Sequence, residues 1–166
     1  MTVNTQRPNF SRPTLTPLTG QRLYLREEEL DAGLAMILEA GHALKAATQM
    51  ARDAHDVNWT QARALTALLR QPQGVLALSV RLDITKQAAI KTVEELETRS
   101  LITRATDARD GRRRTITLTA TGDVIARDIS TAMRSLLAKA YRQAGGEAVA
   151  GCDAVLNAIK AGGSNA

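Results

Sequence analysis

Apolar positions recur along this chain in two periods, and the changes of period mark out its elements. Leu23, Leu30, Ile37, Leu44 and Ala51 return every seven residues, with Leu34, Gly41 and Thr48 on the adjoining track. That spacing predicts one long amphipathic helix over residues 21–56. Its length, its lack of proline and its small residues Gly41 and Ala51 suit packing against another long helix. The partner would be the chain's own C-terminus or a second subunit. Thr60 to Leu69 repeats the pattern on a shorter scale, with Ala62, Leu65 and Leu69 inward, Asn58 or Thr60 as N-cap, and Pro72 with Gly74 as the stop. Leu76–Leu82 and Lys86–Arg99 follow as helices joined by Asp83-Ile84-Thr85. The period then falls to two at Leu101–Thr106 and Arg114–Thr119, around a polar loop of Asp, Arg and Gly, which predicts a β-hairpin. From Thr121 the helical pattern returns (Val124, Ile125, Ile129, Met133, Leu136, Leu137) and runs to Ala144. Gly145-Gly146 interrupts it, and a last amphipathic helix carrying Val149, Cys152, Val155, Leu156 and Ile159 stops at Gly162-Gly163.

Composition sharpens the picture. Aromatic residues make up 2% of the 166 positions (Phe10, Tyr24, Trp59 and Tyr141), too few for a base-stacking platform on single strands. The same scarcity favours helices over an all-β core. A chain of this length suits one domain, with or without a helical arm, and often leans on a partner subunit. Residues 1–20 hold Pro8, Pro13 and Pro17 among Thr, Ser and Asn, and read as a flexible tail. The N-terminus lacks the apolar run of a secretory signal, and the longest run nearby, Leu34 to Leu38, is too short to span a bilayer. A soluble, cytoplasmic protein is expected, with no membrane partner. Cys152, the single cysteine, excludes an internal disulfide and a multi-cysteine metal site.

The net charge of +5 is unevenly placed. Residues 1–26 carry +4, 27–80 carry −3, 81–114 carry +3 and 115–166 carry +1. The excess therefore sits in the tail and in the segment that holds the second of the two short helices and the hairpin. A localised basic surface of this kind points to a polyanion.

Helix, three-residue turn, helix and basic hairpin together describe a winged helix-turn-helix. Ala89, Val93 and Leu96 form an inner face of the second helix against Leu78 and Leu82, and Thr85 is its natural N-cap. The opposite face presents Lys86, Gln87, Ile90, Lys91 and, a turn later, Glu94. Gln pairs bidentately with adenine, Lys donates to guanine, and an exposed Ile meets thymine methyls. Backbone N–H groups at Thr85 and Lys86 can hold a phosphate. In the hairpin, Arg104, Arg109, Arg112, Arg113 and Arg114 stand against Asp107 and Asp110, a balance of +3. Arginines steadied by aspartates suit a narrow minor groove, where negative potential is concentrated. For the helix alone, a solvated amphipathic surface is the competing reading; for the hairpin, it is a charge cluster that aids solubility.

Residues 57–122 resemble the MarR family of winged-helix transcription regulators. The matching pieces are Ile84-Thr85-Lys86-Gln87-Ala88, Val93-Glu94-Glu95-Leu96-Glu97 and Leu101-Ile102-Thr103-Arg104. They continue through Asp107-Ala108-Arg109-Asp110-Gly111-Arg112-Arg113 to Leu118-Thr119-Ala120-Thr121-Gly122. The order of the flanking helices extends the match to about residues 21–162. The resemblance implies a mainly α fold with a small β-hairpin wing. Residues 21–56 would be a first dimerisation helix, 57–119 the DNA-binding domain and 120–162 the C-terminal dimerisation helices. It implies a homodimer on double-stranded DNA, most often a repressor at a pseudo-palindromic operator. Thr85, Lys86 and Arg104 would sit on phosphates, Gln87, Ile90 and Lys91 would read bases, and Arg109, Arg112 and Arg113 would serve the minor groove or hold the wing. It also implies release by a small aromatic or amphipathic ligand, although the pocket positions carry no motif that names ligand residues.

The chain departs from the family in three places. Ser100 stands where glycine is usual, which suggests a slightly different exit toward the wing; Leu76 stands where Ser or Thr caps; Asp83 replaces a turn glycine. No nucleotide-binding glycine loop, paired-histidine motif or nucleophile elbow appears, so neither an enzyme nor a cofactor is expected. His42 and His55 read as surface or interface residues, Cys152 as a buried structural thiol, and Trp59 as core or as the wall of an aromatic-ligand pocket. The rival function is a winged-helix module whose wing docks on an acidic protein or on RNA backbone.

Overall fold

A computed structural model describes residues 26–106 and 114–163. The Pro/Thr-rich tail and the wing tip, with Arg109, Arg112 and Arg113, lie outside the described residues. Two compact units are present, one ending at Met36 and one beginning at Ile37, and the core described below lies in the second.

Seven helices and a hairpin follow in order among the described residues: α1 Glu27–Ala47, α2 Gln49–Ala54, α3 Trp59–Arg70, α4 Val75–Leu82, α5 Lys86–Thr98, β1 Ile102–Thr106, β2 Arg114–Leu118, α6 Ala120–Ala144 and α7 Gly146–Gly163. The seven-residue pattern predicts a single helix where the structure has α1 and α2. Thr48 causes the break. It is fully buried, and both its amide and its hydroxyl donate to the Lys45 carbonyl, which tightens the turn.

The core is built by α3, α4, α5, the hairpin and the first half of α6. Leu65, Leu78, Leu82, Val93, Leu96, Ile102, Ile116 and Ile129 are all buried. The expected inner face of α5 (Ala89, Val93, Leu96) is buried, as are Leu78 and Leu82. In α3 it is Leu68, more than Leu69, that fills the core. β1 and β2 are antiparallel with Ile102 opposite Leu118 and Arg104 opposite Ile116. Gln73 adds an isolated bridge to Ile116, exchanging both backbone hydrogen bonds at 3.3 and 3.0 Å.

Three helix ends share one device. Asp56, Asp83 and Ser100 have φ of 47°, 52° and 55°, in the left-handed region. Each closes a double hydrogen-bonded cap; after α5, Ser100 N–H donates to Glu97 O at 2.8 Å and Leu101 N–H to Leu96 O at 2.9 Å. Ser100 therefore takes the left-handed conformation that glycine would take. Asp83 does the same in the turn of the helix pair. Leu76 is inside α4, whose N-cap is Gly74, with no side-chain cap.

The flanking helices behave differently from the core. No residue of α1 or α7 is buried, and Leu30, Leu34, Ile37, Leu38, Val155, Leu156 and Ile159 are exposed. Val124 and Leu137 of α6 are also exposed. Cys152 is exposed, contrary to the buried thiol expected from its apolar neighbours, because nothing within the described chain covers that face of α7. Among the described residues no helix is long and apolar enough to cross a membrane.

Candidate nucleic-acid interface

The local sequence fixes α5 at both ends. Thr85 is its N-cap, with extended backbone (φ −60°, ψ 152°), and its hydroxyl accepts from the Ala88 amide at 3.1 Å. Its C-terminal end closes through Ser100, as above. Lys86, Gln87 and Lys91 are exposed, while Ile90 is half-buried, so its side chain is only partly available to a groove. Glu94 continues the same face toward the hairpin. Thr92, which the sequence pattern leaves unremarked, is buried and donates its hydroxyl to the Ala88 carbonyl at 2.8 Å.

Arg104 is on β1, half-buried against α5. Its Nε lies 2.9 Å from Glu97 Oε2, yet that nitrogen is buried without an aligned hydrogen bond, so the contact is an ion pair and no more. Glu94, Glu97, Arg104, Ala105 and Arg114 line one concavity between helix and hairpin. Of the predicted contacts, the structure thus places Thr85, Lys86, Gln87, Ile90 and Lys91 on one helix and Arg104 beside it.

Two residues that orient this helix, Gln61 and Arg99, have no counterpart in the predicted set. Gln61 closes a reciprocal cap with Asn58, at 2.9 and 3.0 Å, and its amide also donates to Glu95 Oε2 at 2.9 Å, which ties α3 to α5. The Asn-x-x-Gln spacing was a readable signal for the cap, though not for the Glu95 contact. Arg99 donates to the carbonyls of Asp56 at 2.6 Å and His55 at 2.7 Å. His55 Nε2 lies 2.9 Å from Asp128 Oδ2 on α6, while His42 is exposed. Trp59 is half-buried, packs on the core, and has the buried Arg52 guanidinium 5.8 Å from its ring centre.

At the start of α6, a hydrogen bond from Arg127 holds the Asp123 carboxyl below its ordinary value of 3.8. Among the described residues no cluster of His, Cys, Asp and Glu could hold a metal ion.

Comparison with known proteins agrees with this architecture. The model of the MarR family matches residues 55–113. HTH-type transcriptional regulator PetP of Rhodobacter capsulatus is 33% identical over 138 residues, covering 82% of this chain and 83% of the relative. Two solved structures share the fold. CouR from Rhodococcus jostii, bound to p-coumaroyl-CoA, has a TM-score of 0.67 at 19% identity, covering 78% of this chain and 91% of CouR. A MepR point mutant from S. aureus, bound to oligodeoxyribonucleotide, has a TM-score of 0.51 at 20% identity, covering 80% and 96%. The winged helix-turn-helix, its capped second helix and these likenesses converge: the chain belongs to the MarR family of transcriptional regulators.

Proposed function

We propose that this regulator is a homodimeric, sequence-specific binder of double-stranded DNA that acts as a repressor. The observation that carries the reading is the solvent face of α5, where Lys86, Gln87 and Lys91 are exposed on a helix capped at both ends. Thr85 and Lys86 would hold phosphates, and Gln87, Lys91 and the outer part of Ile90 would read base edges. Arg109, Arg112 and Arg113 of the wing would enter the flanking minor groove. Arg104 belongs to the same belt, but its charge reaches a phosphate only if its pair with Glu97 gives way.

The homodimer rests on the exposed apolar residues of α1 and α7. A monomeric soluble protein rarely leaves so much apolar surface to water, and a two-fold partner would bury it. Two reading heads would then meet half-sites about 10 bp apart. Sedimentation equilibrium tests this part: a dimer is expected, and a monomer at micromolar concentration would contradict it.

The DNA reading is tested by mobility shift on the gene's own upstream region against bulk DNA at physiological salt. Preference for the upstream site is expected, with affinity that falls steeply as salt rises. Absence of preference would overturn it. MarR-type architecture, with CouR bound to p-coumaroyl-CoA, also supports release by an amphipathic or aromatic acid. Such a ligand acts only through different affinities for two spacings of the reading heads. Thermal shift against a panel of aromatic acids and their thioesters should give a hit, and a silent panel removes this part.

A module docking its wing on an acidic protein or RNA backbone is the second reading. It has no use for an exposed Gln87 and Lys91 in a helix fixed at both ends, and is disfavoured on that ground.

A further inference from the structure

We propose that Glu97 withholds Arg104 from DNA and thereby limits sequence-independent binding. The inference rests on the DNA-binding reading above and adds a specificity-determining residue to it. Glu97 is in the last turn of α5 and Arg104 in the middle of β1, so the pair bridges the reading helix and the wing. The Arg104 side chain is 25% exposed and that of Glu97 41%, with Nε and Oε2 2.9 Å apart. The deeper partner is thus the cation, and among the described residues its Nε has no other acceptor. Glu94 and Arg114 line the same concavity, so among the described residues two acids face two bases there.

Bulk affinity for DNA comes from cations that neutralise phosphates and release counterions, each adding about 0.9 to the slope of log K against log salt on duplex DNA. An arginine already neutralised by a carboxylate contributes little to that count. Glu97 therefore lowers affinity for any duplex alike, and the decision passes to Gln87, Lys91 and the other base-reading groups.

The test is fluorescence anisotropy with the full-length protein on a random-sequence duplex and on the upstream region, across a salt series. Glu97→Gln is expected to steepen the slope by about 0.9 and to tighten binding to random duplex about five-fold near 0.15 M salt. The gain should require Arg104, so the Glu97→Gln/Arg104→Gln double variant should return to the slope of the unaltered protein. Circular dichroism checks folding, and Glu97→Ala should give the same slope change if the glutamine disturbs the helix. The opposite pattern, with Arg104→Gln flattening the slope by about 0.9 and Glu97→Gln leaving it unchanged, would show Arg104 already on a phosphate and overturn the proposal. Absence of DNA binding by the unaltered protein would fail the regulator reading itself. Binding with unaltered slopes in every variant would fail this inference alone.

Discussion

Arg99, at the C-cap of α5, donates its Nη2 to the backbone carbonyl of His55, forty-four residues earlier in the chain, at 2.7 Å. Its Nη1 takes the next carbonyl, Asp56, at 2.6 Å. The turn it grips also presents His55 to Asp128 of α6. The C-terminal end of α5 is thus tied to the turn after α2 by a side chain that lines the same concavity as Lys91 and Glu94.

Arg99→Ala should lower stability by about 1–2 kcal/mol, because two charge-assisted hydrogen bonds are lost at an exposed site where water replaces part of each. Urea denaturation measures this. Affinity for DNA should fall by a similar factor for all sequences, since the residue orients and does not read. A change of sequence preference would contradict the assignment.

Ser100→Gly should raise stability, by up to about 1 kcal/mol, since serine holds a left-handed φ of 55° that glycine adopts without steric cost. Part of the gain is offset by glycine's greater freedom in the unfolded chain. The urea midpoint should rise with an unchanged slope. A fall would mean that the serine side chain supplies a contact outweighing its backbone cost.

Gly122 allows α6 to start directly against the hairpin. A β-carbon built there would come within 1.9 Å of the Leu101 carbonyl oxygen, which already accepts from the Thr119 amide at 3.1 Å. Gly122→Ala should therefore cost about 1–3 kcal/mol or more, as backbone has to move. Differential scanning calorimetry should show a lower Tm, and an unchanged Tm would contradict the close approach.

Much of this was legible in the chain. Thr85 was readable as a cap, and Ala89, Val93 and Leu96 as an inner face, because both depend on local spacing. The break at Thr48 was not legible, since it arises from one buried threonine bonding back to Lys45 within a pattern that stays apolar on both sides. The exposure of Cys152 was missed for a related reason: an apolar stripe says that a face wants cover, not that this chain supplies it. Arg99 and Gln61 were invisible as orienting groups because their partners are distant in sequence and, for Arg99, are backbone carbonyls, which no residue type announces. For Arg104, sequence showed a cation in the right place, and only the fold showed the carboxylate beside it.

Selection of binding sites from a random pool of duplexes, run in parallel with the unaltered protein, Gln87→Ala and Lys91→Ala, addresses the reading helix most directly. The unaltered protein should enrich a pseudo-palindrome with half-sites about 10 bp apart, and each variant should lose preference at one or two symmetric positions. No enrichment, or an even weakening across all positions in both variants, would contradict base reading by α5.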